Sequence, residues 1–156
     1  ALSITLGELR RLVAATPAQA RQLLETEGYF AAQVQARLTP GGAPDDEAEV
    51  RVHVEPGQQA RVGSVVLLFQ GELDRLIDQQ DAAARALASR LQSDWPLPPG
   101  DAFSQSKWAA AKSALLTTLR AQGYLSAGWS GTSARVDEQT QAVSLFLIAV
   151  IIWGAT

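Results

Sequence analysis

Cysteine and methionine are both absent from the 156 residues. Without cysteine there is no disulfide framework, no thiolate metal site and no cysteine nucleophile. That absence suits an oxidising compartment and the cytosol equally. Histidine occurs once, at His53, whereas a metal site needs about three or four ligands. Lysine is nearly missing as well: of the 13 lysines and arginines only Lys107 and Lys112 are lysines, the net charge is -3, and no block of like charge stands out. The basic patch that marks nucleic-acid binding is therefore lacking. No glycine-rich phosphate loop occurs. The longest apolar run, Leu145–Trp153, is nine residues. A membrane-spanning helix needs about 20, so this run reads as a buried strand. No signal peptide is visible. The chain opens on Ala1 without Met, and we expect a processed or excised piece of a longer protein, soluble in itself.

What is present is a balance of 47% hydrophobic and 19% charged residues, which suits a folded chain and not a disordered one. The length allows one ordinary domain or two small ones of about 75 residues each. A repeat favours two. LLETEGYFAAQVQARL (23–38) is echoed by TTLRAQGYLSAGWSGT (117–132), each reading as a helix end, Gly-Tyr-apolar, a small residue and a strand. Gly28 and Gly123 lie 95 residues apart (123 − 28). That period fits two copies of a small domain and exceeds the about 20–50 residues of a solenoid repeat.

Along the chain, Leu6, Leu9, Leu12 and Val13 share one face of a short helix over 6–14. Thr16 and Pro17 supply an N-cap and a first-turn proline for a second helix ending near Glu27, with Gly28 in the left-handed position after it. Residues 32–38 and 48–55 alternate as half-buried strands, the second with Val50, Val52 and Val54 inward. Arg61–Gln70 holds an unbroken apolar core, Val65–Phe69, which predicts a central or covered strand. Residues 72–92 return to helical spacing. Asp101 or Ser104 caps a further helix with Trp108, Leu115, Leu116 and Leu119 on its apolar face, ending at Gly123. A strand follows, with Tyr124, Leu125, Ala127 and Trp129 at its start. Asp137–Thr140 is a turn, and 142–148 the last clear strand. The second unit thus reads strand–helix–helix–strand–strand. The first reads helix–helix–strand–strand, its opening strand missing or reduced to Leu2–Thr5. Helices gathered on one face of a small mixed sheet are the expected packing.

The order and spacing of four segments, LLETEGYFAAQV, VEPGQQARVGSVVLLFQG, LPPGDAFSQSKWAAAKSALLTTLRAQGYLSA and QAVSLFLIA, resemble POTRA (polypeptide-transport-associated) domains. The similarity is to those of the TamA-like (surface antigen) family of bacterial outer-membrane proteins. The tail from Val150 to Thr156 departs from that pattern, which leads on to an acidic or Gly-Pro turn. The resemblance implies an α+β fold of tandem modules (β-α-α-β-β), with two helices on one face of a three-stranded mixed sheet. It places a first module, truncated at its N-terminus, at 1–60, a second at 61–150, and a tail at 151–156. It implies a non-enzymatic scaffold at the periplasmic face of the outer membrane, without a cofactor, in a parent chain carrying a membrane β-barrel. Its partners would be nascent outer-membrane or secreted polypeptides and an inner-membrane or periplasmic protein. Modules of a two-partner secretion pore or of a cell-division protein are the alternatives.

Strand edges carry the useful physics, because an extended segment pairs there through its main chain with little sequence demand. By resemblance the candidate edges are 32–38 and 127–135, with Gln33, Gln35, Arg37, Gly128, Ser130 and Thr132 as binding residues. Bland readings hold elsewhere. Ser104-Gln105-Ser106-Lys107 spells S-x-x-K, but the partner motifs of that enzyme class are absent and Ser104 suits a helix cap. Asp45, Asp46 and Glu47 sit in a Gly/Pro-rich loop as solvated carboxylates, and His53 lies on the outward side of a strand. A small hydrolase built on these groups is the least favoured alternative. Tyr29, Phe30, Tyr124 and Trp129 read as core anchors, and Trp95 as a loop residue that either covers a helix pair or stands exposed. The apolar run Leu145–Trp153 would favour non-native dimers if its strand edge were open.

Overall fold

The computed structural model describes residues 4–42 and 47–152. Asp45 and Asp46 of the carboxylate loop, Leu2 and Ser3 of the reduced opening strand, and the end of the tail from Trp153 lie outside them. The chain divides into two compact units, residues 1–59 and 60–156.

The first unit is one helix, α1 (Leu6–Thr26), followed by an antiparallel pair, β1 (Gln33–Thr39) and β2 (Glu49–Glu55). Thr5 opens α1 with a capping box. Its hydroxyl accepts from the Glu8 amide at 3.1 Å, and the Glu8 carboxylate accepts from the Thr5 amide at 3.4 Å. The expected break at Thr16-Pro17 does not occur: Pro17 stands inside the continuous helix. Proline removes one backbone donor and crowds the preceding turn. The Thr16 hydroxyl meanwhile donates to the Leu12 carbonyl at 2.8 Å, binding the side chain back into the helix where a cap was expected. The unit therefore has one helix where two were expected. It buries Val13, Ala32 and Val34 as its only hydrophobic core residues among those described.

The second unit runs β3 (Arg61–Gly71), α2 (Glu72–Asp78), α3 (Ala82–Ser93), α4 (Gln105–Ala121), β4 (Gly128–Val136) and β5 (Ala142–Ile151). The helical stretch over 72–92 is interrupted at Gln80, which adopts φ 65°, and α3 restarts on the Asp81 side chain, which accepts from the Ala84 amide at 2.8 Å. The fold is α+β, with a three-stranded mixed sheet in the order β3–β5–β4. β3 runs parallel to β5, and β4 antiparallel to it. The core lies on the helical side of this sheet: Leu145, Leu147, Ala149 and Ile151 of β5 are at most 1% exposed. Against them stand Ala84, Leu87, Ala88 and Leu91, one face of α3, and Trp108, Ala111, Leu115 and Leu119, one face of α4. Trp95 belongs to this core and meets Trp108 edge to face, with ring centroids 6.2 Å apart.

Two expectations about the sheet change. The apolar strand Arg61–Gln70 is an edge, not the centre. Val66 and Leu68 point to the face without helices and stay 44% and 47% exposed. The run from Leu145 is instead the central strand, flanked on both sides, so it offers no open edge for dimer formation. At the far end of β3, Gly71 has φ 87°, and a Cβ there would overlap the Ile151 carbonyl. Only glycine combines that backbone with so close an approach.

Candidate functional site

The helix exits are the same local structure twice. After α1 the Tyr29 amide donates to the Leu24 carbonyl at 2.9 Å and the Gly28 amide to Glu25 at 3.0 Å. After α4 the Tyr124 amide donates to Leu119 and the Gly123 amide to Arg120, both at 3.1 Å. This is the paired carbonyl-capping arrangement that a left-handed residue after a helix allows, and Gly28 and Gly123 have φ 93° and 100°. Each exit delivers the chain into a strand: β1 starts at Gln33 and β4 at Gly128. Arg120 helps to fix the second exit by donating to the Ala127 carbonyl at 2.9 Å.

Tyr29, Phe30, Tyr124 and Trp129 are half-buried at these exits, whereas Leu125 is 71% exposed and precedes the strand. Burial, followed by the charges of Asp81 and Glu72, raises the pKa of the Tyr124 phenol above its ordinary value. Glu72 is itself paired with Arg75, whose hydrogen bond holds its carboxyl below the usual range.

The two outer edges of the second sheet differ in how they are guarded. β3 is covered at its start. The Gly100 amide donates to the Val62 carbonyl at 2.7 Å, the Val62 amide to Asp101 at 2.9 Å, and the Phe103 amide to Ala60 at 2.9 Å. Further along, Gln92 of α3 donates to the Leu67 carbonyl at 3.1 Å. Grooves lie on either side of that contact. One is lined by Phe69, Ile77 and Arg85, the other by Val65, Trp95 and Pro98. Sequence patterning did not reveal them, because they depend on the packing of α3 against an edge strand.

β4 pairs only with β5, and no strand covers its outer side among the described residues. Its register shifts between Trp129 and Gly131, which leaves Ser130 as the extra residue of a bulge. Ser130 turns over the sheet, its hydroxyl 3.3 Å from both the Gln70 amide oxygen and the Ile148 carbonyl. The regular run available for pairing is therefore Gly131–Val136, with exposed Thr132 inside it and Gly128 and Ser130 before it.

In the first unit, Gln33, Gln35 and Arg37 are exposed on one face of β1, opposite Glu55, His53 and Arg51. Gln35, Arg37, Arg51 and His53 line a shallow groove on that face. Arg51 pairs with Glu49, and His53 lies 3.2 Å from Glu55. Val50, Val52 and Val54, expected inward, are 42%, 49% and 41% exposed. They share a face of the sheet with Val34, yet the described residues leave that face of β2 only partly covered.

A second surface is the open face of the three-stranded sheet. There Val66 stands opposite Phe146, both more than a third exposed, with Leu68 beside them. Ser104 is 5% exposed at the start of α4, and its hydroxyl accepts from the Lys107 amide at 3.2 Å, which makes it the helix cap. Glu47 is exposed, and no group of three or more His, Cys, Asp or Glu side chains comes together among the described residues. No described helix is long and apolar enough to cross a membrane.

No family model matches the chain, and no curated protein matches it. Solved structures that resemble it include three of BamA. Haemophilus influenzae BamA POTRA3-5 has 19% identity and a TM-score of 0.43, over 91% of this chain and 49% of that one. Haemophilus influenzae BamA POTRA4 has 21% identity and a TM-score of 0.39, over 58% and 90%. BamA from Haemophilus ducreyi lacking POTRA domains 1-3 has 19% identity and a TM-score of 0.41, over 96% and 24%. The chain thus spans about half of the first of these structures.

Proposed function

We propose that this chain is a pair of POTRA-type modules, the first at 1–60 and the second at 61–150, from an outer-membrane assembly and translocation protein of TamA-like character. It works as a scaffold at the periplasmic face of the outer membrane, in a parent chain that carries a membrane β-barrel. It holds extended segments of barrel precursors or of a periplasmic or inner-membrane partner by strand addition, without a catalytic residue or a cofactor. The observation that carries this reading is the contrast between the edges. β3 is bonded on its outer side at Val62 by Gly100 and Asp101 and at the Leu67 carbonyl by Gln92, whereas among the described residues no strand pairs with the outer side of β4 over Gly131–Val136. A natural protein ordinarily blunts such an edge. One left open offers backbone hydrogen bonds to a strand of almost any sequence.

Consecutive residues of a strand point their amides to opposite sides. Of Thr132→Pro and Ser133→Pro, one therefore breaks the β4–β5 ladder and the other removes only an outward donor. The variant that keeps the thermal stability of the parent chain is expected to bind an extended peptide from a barrel strand at least about tenfold more weakly, as judged by fluorescence anisotropy. Unchanged affinity in that variant would remove β4 as the seat.

A further inference from the structure

The chain itself begins a ladder on the outer edge of β3 and then abandons it. Arg61 bridges Ala102 in the antiparallel sense, and Gly100, Asp101 and Phe103 make main-chain hydrogen bonds with Val62 and Ala60. Further up β3 the next partners in line are Pro99 and Pro98. Proline has no amide to donate, and the ladder ends there. The register of β3 then shifts between Val62 and Ser64, and Leu67 turns its carbonyl outward to the Gln92 side chain. Alternate residues of an edge strand share that direction. Val65, Leu67 and Phe69 therefore present their amides and carbonyls away from β5. Among the described residues, only the Gln92 contact reaches these groups from outside.

Gln92 is an exposed residue, and its side-chain amide holds the Leu67 carbonyl by one bond of 3.1 Å. That amide stands where the main-chain amide of an added strand would stand. On either side of it lies a groove, one of about 550 Å³ beside Phe69, Ile77 and Ala88, the other of about 480 Å³ beside Val65, Trp95 and Pro98. Each has room for a large side chain. Trp95 is 5% exposed, and its buried indole N–H has no acceptor; a neighbouring ligand oxygen satisfies such a donor. We propose that β3 over Val65–Phe69, together with these two grooves, is a second seat for an extended polypeptide, held shut by Gln92. The occupant bonds through its main chain to Val65, Leu67 and Phe69. It carries apolar side chains four residues apart, one for each groove, with a small residue between them beside α3. Positions four apart in a strand point the same way and lie about 13 Å apart, the spacing of Val65 and Phe69 themselves. Displacing Gln92 breaks one hydrogen bond of an exposed side chain, so the seat opens without a change of fold. This seat selects for apolar anchors, unlike the sequence-tolerant pairing proposed for β4, and does not depend on what β4 binds.

The test is residue-resolved amide exchange during titration with a capped heptapeptide that has valine at its second position, phenylalanine at its sixth, and serine or threonine elsewhere. Three proteins are compared: the unsubstituted chain, Gln92→Ala and Gln92→Glu. Neither substituent can donate to the Leu67 carbonyl, and glutamate keeps the size of the side chain, which separates the lost bond from lost packing. The peptide is expected to protect the outward amides of Val65, Leu67 and Phe69 and to leave those of Val66 and Leu68, which face β5, unchanged. The concentration that half-protects β3 is expected to be about fivefold lower in both variants than in the unsubstituted chain. A peptide with serine in place of the valine and phenylalanine should not protect β3. Equal half-protection in all three proteins overturns the proposal, as does an equal effect of the serine peptide or the absence of alternating protection in β3. Protection of β3 without β4 would retain this seat and remove the proposed function; protection of β4 alone would do the reverse.

Discussion

Val50, Val52 and Val54 of β2 lie 95 residues before Leu145, Leu147 and Ala149 of β5, each set on the second strand after the same helix exit, and only the second set is buried. Alternation along a strand therefore establishes which side chains share a face, but not whether that face is covered. Cover comes from elements distant in sequence. Around β5 they are β3 and the helices that follow it; around β2 the described residues provide β1 and α1 alone. A pair of strands with one helix buries little apolar surface, and a unit of that size is marginal by itself.

The sharpest way to break this comparison is to truncate matched positions. Leu147→Ala removes a fully buried side chain from the central strand and is expected to cost about 3 kcal/mol in a denaturant titration. Val52→Ala, at a half-exposed site, is expected to cost about 0.5 kcal/mol or less. Similar losses at the two positions would mean that β2 is covered after all. Next in size is Gly71→Ala, where a left-handed backbone and the nearby Ile151 carbonyl act together. About 2 kcal/mol is expected, read from the same titration and confined to the transition of the second unit.

Sequence patterning placed most elements to within a residue or two, because alternation and the Gly-Tyr helix exits are local signals. It failed where tertiary context decides. Thr16-Pro17 reads as a helix start, yet Thr16 bonds back to Leu12 and the helix continues through Pro17. Val65–Phe69 reads as a central strand because both faces are apolar, whereas β3 is an edge with Val66 and Leu68 on an open face. Of the six candidate binding residues, all fall on edge strands, but nothing local foretold that Ser130 would be the bulge residue or that Gln92 would guard β3.

Smaller effects sharpen the contrast between the helix starts. Ser104→Ala and Thr5→Ala each delete a cap, worth about 1 kcal/mol by differential unfolding. Ser104 should lie at the upper end, because its hydroxyl is buried and Thr5 is exposed. The smallest effect is a pH dependence. The Tyr124 phenol is raised in the folded chain, first by burial, so the folded state holds its proton after the unfolded chain has released it. Stability is then expected to fall as pH rises from about 10, the unfolded value. Tyr124→Phe should flatten that slope in thermal melts, and an unchanged slope would assign it to other groups.

Amide hydrogen exchange of this chain, alone and with a saturating extended peptide from a barrel strand, is the direct measurement. Added protection is expected along Gly131–Val136 of β4, with β5 slow in both states. Protection gained instead at the open face around Val66 and Phe146, or beside Gln92, with β4 unchanged, would contradict strand addition at that edge.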